Sequence, residues 1–402
     1  MQSISTGTLG TADLAIHGEC DPAFQAVRDE FERNFTERGD LGASVCVAVE
    51  GETVVDLWGG LADAETGRPW ERDTLVSLMS VTKGATALCA HMLHDRGQLD
   101  FDAPVVAYWP EFGKHGKDRI TVRMLLTHQA GLPAIRTPVP PGKFLDWEWV
   151  IAAIEDEQPF WEPGTAVGYH ALTFGFMVGE LIRRISGKSL GTFFRDEVAE
   201  PLGLDYWIGL PDSEYERLCP LILEPDNPML QALEADPEPQ SSFRLAFVNN
   251  GGILEADGFN TPAACQAEFG STGGIGNARS IAGMYAPLSL DGSIDGVRLV
   301  SPESLYLMGR TDASVAIDAT MNFPLGRFAL GFDKDVTDLG LPMAAFGHSG
   351  WGGANGFADP SSRLAFGYAM NRMNYTDRWE PLARAAYRSL GYREGRYGVW
   401  LR

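Results

Sequence analysis

Residues 43–49 (ASVCVAV) and 53–58 (TVVDLW) are β-rich hydrophobic runs, and Glu50, Gly51 and Glu52 between them predict a hairpin. A third short run, residues 74–78, leads into Ser80. From Lys83 to His94 the sequence KGATALCAHMLH is apolar nearly all round, which predicts a helix buried in the middle of the protein. Gly97 ends it, ahead of a turn at Asp102, Ala103 and Pro104. From about 105 to 240 the pattern is mainly helical, with proline-rich breaks such as 138–142 and a helix over about 172–185 that stops at Gly187. Beyond about 290 the β-rich runs return at 328–332, 343–346, 356–358 and 364–370, and an amphipathic helix is expected near 381–390. Strand-rich ends around a helical middle predict an α/β (α+β) protein whose sheet is built by both termini. The expected division is a discontinuous α/β domain, 1–100 with 270–402, and a mainly helical lobe, 101–269.

Composition narrows the function classes. The 402 residues are 45% hydrophobic and 21% charged, which suits a sizeable core and excludes a disordered or fibrous chain. A net charge of −22 argues against nucleic acid or an anionic membrane as partner, because both need clustered Lys and Arg. The first 20 residues carry neither the basic start nor the apolar run of a signal peptide, and no segment approaches a membrane span, so a cytoplasmic protein is expected. Cys20, Cys46, Cys89, Cys219 and Cys265 are odd in number, scattered and without a CxxC pair, and read as reduced packing residues.

Chemistry enters at Ser80-Val81-Thr82-Lys83. On a helix, positions i and i+3 share a face, so the serine hydroxyl lies beside the lysine amine, a nucleophile beside a base. The alternative is structural, with a helix-capping serine and a solvated lysine. Tyr169 follows a Pro163-Gly164 turn just ahead of the helix near 172, and a cationic neighbour there would lower its pKa and make it a base. Residues 347–353 (GHSGWGG) hold four glycines in seven positions, which lets a backbone N–H approach a developing oxyanion. His348 offers a polar or cationic side chain to the same site.

Two other patterns are set aside. Gly187 to Gly191 (GKSLG) fits a nucleophile elbow, but a helix precedes it where a strand is required, so Ser189 reads as a helix N-cap. A phosphate loop fails because Ile182 stands where its first glycine belongs. His91 and His94 lack a third ligand at metal spacing and read as packing residues.

In this order, SVTK, YHA and HSG resemble the motifs of the serine β-lactamase and penicillin-binding-protein superfamily, SxxK, a tyrosine motif and KTG. The resemblance is strongest to the class C β-lactamase-like branch and its family VIII carboxylesterases, and extends to residues 120–132 (ITVRMLLTHQAGL) and 270–284 (GSTGGIGNARSIAGM). It implies a β-lactamase-like fold, an antiparallel sheet flanked by helices. Ser80 would be acylated, Lys83 would help deprotonate it, and Tyr169 would act as base and then as proton donor to the leaving group. The N–H groups of Ser80 and Trp351 would form the oxyanion hole, while His348, Ser349 and Gly350 would bind substrate. No metal or cofactor is implied. Ala171 replaces the asparagine of the usual YxN motif, and His348, partly charged at neutral pH, replaces the KTG lysine. Both changes favour neutral esters over β-lactams. The expectation is a serine carboxylesterase acting on small short- or medium-chain esters. An amidase, peptidase or weak β-lactamase on the same scaffold and a non-catalytic ligand-binding homologue are the alternatives. Trp161, Trp207 and Trp351 are candidates to line an apolar acyl pocket.

Overall fold

The computed structural model describes residues 15–401 apart from 225–227, 256–257, 323, 325, 335–343, 375–377 and 395–399. The N-terminal residues 1–14 and Met343, at the start of one expected strand, lie outside the described residues.

The β-rich runs become strands of one antiparallel sheet. Six of its seven strands are β1 (Ile16–Cys20), β2 (Gly42–Val49), β3 (Glu52–Asp63), β4 (Phe346–Ser349), β5 (Asn355–Asp359) and β6 (Leu364–Met370), in the order β1-β3-β2-β6-β5-β4, and the short Arg68–Pro69 pairs with β3 off this path. The predicted hairpin is β2–β3, turning through Glu50 and Gly51, both at positive φ. The pairing of β6 with β2 joins C-terminal strands to N-terminal ones, with Gly367 opposite Cys46. The expected run at 328–332 shortens to Arg327–Phe328, which pairs with Ala313–Ser314.

Both central strands are buried, so each face of the sheet needs a covering layer. Helix α1 (Gln25–Thr36) packs against the C-terminal helix α5 (Trp379–Ser389). Helix α4 (Ala278–Tyr285) lies across β2, β5 and β6. The approach of α4 depends on the missing side chain of Gly367, since a Cβ there would stand 2.2 Å from the Ala278 carbonyl oxygen. Helix α2 (Thr82–Asp95) is buried from Thr82 to Leu93, as its all-round apolar pattern predicts, and packs on α3 (Thr173–Ser186). No helix among the described residues is long and apolar enough to cross a membrane.

Candidate active site

Ser80 is presented by a short strand and a strained turn. Val76–Ser77 pairs with Gly274–Gly276, and Leu78 N donates to Gly274 O at 2.8 Å. The chain then turns through Met79 at φ +49°, a region that costs a non-glycine residue on the order of 1–3 kcal/mol and persists only where the surroundings enforce it. Thr82 Oγ1 does so, donating to Met79 O at 2.6 Å and accepting from Gly274 N at 2.8 Å. Neither Leu78 nor Val81, the capping positions of this turn and of α2, makes a side-chain cap. The structural alternative for the pair therefore fails, since Ser80 is no cap and Lys83 is wholly buried rather than solvated.

The Lys83 amine lies 3.1 Å from Ser80 Oγ and donates to Ala171 O at 2.8 Å and Ser271 O at 3.1 Å. Burial alone holds its pKa well below the usual lysine range, which shifts the group toward the free amine. A free amine has two N–H groups and one lone pair. The two carbonyls take the N–H groups, and the lone pair is left facing the serine hydroxyl.

The Tyr169 phenol interacts with the same hydroxyl, and its ring centroid is 4.8 Å from Lys83 Nζ. The expected lowering of its pKa does not occur. Burial pushes the phenol up, and Asp333 and Asp318 add to the rise, outweighing the bond to Ser80. The reason is the burial of the phenol itself, with carboxylates rather than a cation as the charges that act on it. Tyr169 is thus a protonated phenol, bonded to the Ser80 hydroxyl, beside an amine shifted toward its free form.

His348 on β4 also departs from expectation. It is 4% exposed, and burial, with the nearby Lys83, pushes its pKa down to about 3, so the ring is neutral rather than partly charged. Nδ1 contacts Ser349 O at 2.8 Å, which makes Nδ1 the protonated nitrogen and leaves Nε2 as an acceptor. Nε2 is buried and has no hydrogen-bond partner among the described residues.

Ser80, Tyr169, Ala171, His348, Ser349, Gly350 and Trp351 together line a cleft of about 340 Å³. Much of its remaining wall is apolar, formed by Met229, Phe247, Leu254, Met321, Phe328 and Trp379. Of the three tryptophan candidates only Trp351 lines this cleft. Trp161 packs edge-on to His170, and Trp207 lies in the strand that pairs with Ile275. Trp379, at the start of α5, takes the place expected of them.

Several supporting residues carry no motif. The buried Asp318 carboxylate accepts from Tyr169 N at 2.8 Å and from Thr320 N and Met321 N, tying the tyrosine to the loop that carries Met321. Behind Tyr169, His128 at φ +59° accepts from His170 N at 3.1 Å and packs on the tyrosine ring at 4.9 Å. Arg378, fully buried and ion-paired with Asp40, donates to Gly352 O at 2.8 Å and so anchors the turn beside Trp351. His128 falls in a segment that sequence reading marked, whereas Asp318, Asp40 and Arg378 gave no local signal.

The patterns set aside prove structural. Ser189 caps the helix Leu190–Phe194, accepting from Thr192 N, after α3 ends at Gly187 with φ +72°. His91 and His94 each bond a backbone carbonyl, Leu330 O and Leu99 O, and both pack on Phe101. All five cysteines are free, four of them buried.

Comparison with known proteins places this site in context. Residues 30–389 match the model of the beta-lactamase family. The chain is 35% identical to the esterase/beta-lactamase LipL of Mycobacterium tuberculosis over 373 residues, covering 90% of this chain and 84% of LipL. A family VIII carboxylesterase of known crystal structure is 41% identical, with a TM-score of 0.85 over 93% of this chain and 100% of that one. A penicillin-binding-protein homologue from Caulobacter crescentus is 35% identical, with a TM-score of 0.86 over 93% of this chain and 100% of that chain.

Proposed function

The chain belongs to the beta-lactamase family and is a hydrolase of the esterase/beta-lactamase type, and from that premise we propose that it is a serine carboxylesterase acting on neutral short- to medium-chain esters through a Ser80 acyl-enzyme. In this mechanism Lys83, as the free amine, takes the Ser80 proton while Oγ attacks the acyl carbon. Tyr169, already protonated and bonded to the same hydroxyl, gives its proton to the departing alkoxide and is reprotonated through Lys83. The N–H groups of Ser80 and Trp351 receive the oxyanion. A water then attacks the acyl carbon, returns the proton to Ser80 and releases the acid. Ala171 contributes its backbone oxygen to Lys83 but no amide side chain to substrate.

The observation that carries the ester reading is the neutral, buried His348 at the position where the superfamily motif has a lysine. An uncharged ring does not attract the carboxylate of a β-lactam. The largely apolar cleft supports the same choice. The division into a discontinuous α/β domain, 1–100 and 270–402, and a helical lobe, 101–269, is part of the proposal. It is supported by the sheet drawing its strands from 16–63 and 346–370.

Two measurements test this reading. Steady-state kinetics with p-nitrophenyl butyrate and with nitrocefin is expected to favour the ester in kcat/KM by at least about 100-fold. A preference for nitrocefin would replace the carboxylesterase with a β-lactamase. Tyr169→Phe keeps the ring against His128 and removes the hydroxyl, and with it the proton given to the leaving group and the bond to Ser80, so kcat for the ester is expected to fall by roughly 10² with KM little changed.

A further inference from the structure

The catalytic cleft is backed by a second apolar space. Leu172 and Thr272 line the cleft and also one side of a narrow seam, whose other side includes Phe176 and Phe269. The seam is too tight to admit a water molecule. Phe176 and Phe269 are at the same time walls of a further pocket of about 290 Å³, which they share with Trp147 and Leu190 and whose outer rim carries Glu148, Arg183 and Glu268. Cleft, seam and pocket therefore follow one another along α3, from Leu172 to Phe176 and on to Arg183.

Three rings, Phe144, Phe176 and Phe269, fill most of the seam, with Leu172 and Ile253 beside them. Phe176 meets Phe144 edge-on at 5.3 Å and Phe269 edge-on at 5.7 Å. The hydroxyl of Ser271 beside them is satisfied within the backbone, accepting from Gly175 N at 2.7 Å and donating to Leu172 O at 2.9 Å. Nothing polar has to be unpaired for an alkyl chain to pass where a ring now stands. On the far side of the rings lies a pocket nearly as large as the cleft, open toward solvent, so the rings stand as a barrier between the two spaces.

We infer that Phe176 and Phe269 are specificity-determining residues, a plug that sets the longest acyl chain the cleft accepts, and that the pocket behind them is a chain-end site for longer alkyl groups once the plug is opened. The assignment rests on the carboxylesterase reading for the identity of the chain, an ester acyl group. Each methylene that gains entry is expected to raise kcat/KM by about fourfold, the equivalent of about 0.8 kcal/mol.

The test is the ratio of kcat/KM for p-nitrophenyl dodecanoate to that for the butyrate, which does not depend on how much of a preparation is folded. In the wild type the ratio is expected to be low. Phe269→Ala is expected to raise it at least tenfold, and Phe176→Leu, a milder change should the first variant fold poorly, to raise it in the same direction. Adding Leu190→Trp to Phe269→Ala fills the far pocket and is expected to return the ratio toward the wild-type value. A ratio that neither phenylalanine variant moves would overturn the plug. Failure of the wild type to hydrolyse any of these esters would instead overturn the carboxylesterase reading. The plug is then judged by calorimetric binding of decanoate, expected to be at least tenfold tighter in Phe269→Ala, and equal affinity would overturn it.

Discussion

Ser80→Ala is expected to reduce hydrolysis of p-nitrophenyl butyrate by a factor of about 10⁴–10⁶, to the residual level left by binding and oxyanion contacts. The substitution removes the only atom on which the acyl-enzyme can form and changes little else. The turn at Met79 is enforced by Thr82 and Gly274 rather than by the serine hydroxyl, so thermal stability should stay near that of the wild type. A phosphonate inhibitor should add its mass to the peptide bearing Ser80 in the wild type and to no peptide in the variant. Turnover at the wild-type rate, or the mass appearing at Ser189, would remove Ser80 from the mechanism. The second outcome is opposed by Ser189's own geometry, since its hydroxyl is committed to Thr192 N and to Glu268.

The part of this site visible in the sequence is the part written in side chains. Ser80 and Lys83 share a helix face because of their spacing, and Tyr169 and His348 come from segments whose glycines and prolines mark loops. The strands at 42–49 and 364–370 were legible because each is a nearly continuous apolar run, as burial on both faces requires. The run at 328–332 is equally apolar, yet only Arg327–Phe328 finds a strand partner, so tertiary pairing decided what pattern could not. Hidden from the sequence was everything carried by backbone atoms. The carbonyls of Ala171 and Ser271 that cradle the Lys83 amine have no residue signature, because every residue type but its side chain presents the same oxygen. Asp318 holds Tyr169 from 149 positions away, a distance over which local pattern carries no information.

The same gap explains the two electrostatic reversals. The sequence suggests a phenol lowered by a cationic neighbour and a histidine partly charged at neutral pH. Burial acts on each group in turn: it lowers the Lys83 amine, raises the Tyr169 phenol and lowers the His348 imidazole, and any charge on Lys83 only adds to the last of these. The burial of each group thus sets the protonation of the cluster: amine shifted toward the free form, phenol protonated, imidazole neutral. These are the states that the proposed acylation step needs at its start.

Lys83→Met is expected to lower kcat/KM by about 10³–10⁴, because it deletes the base while keeping a side chain of similar reach in the same buried slot. The more telling result concerns stability and pH. A lysine kept neutral in the fold but free to protonate when unfolded makes the unfolded state bind more protons, so the wild type gains stability as pH rises from the depressed folded pKa toward the ordinary lysine value. Methionine cannot titrate, so the variant lacks this contribution. Within that window the stability difference between the two proteins is expected to shift toward the wild type by about 1.4 kcal/mol per pH unit, and to level off above roughly pH 10.4. Paired urea denaturations between pH 7 and pH 10 read the slope directly, and other titrating groups cancel because both proteins share them. A flat difference across that range would mean that Lys83 is charged in the folded protein. The lone pair facing Ser80 would then be absent, and the free-amine mechanism would fall with it.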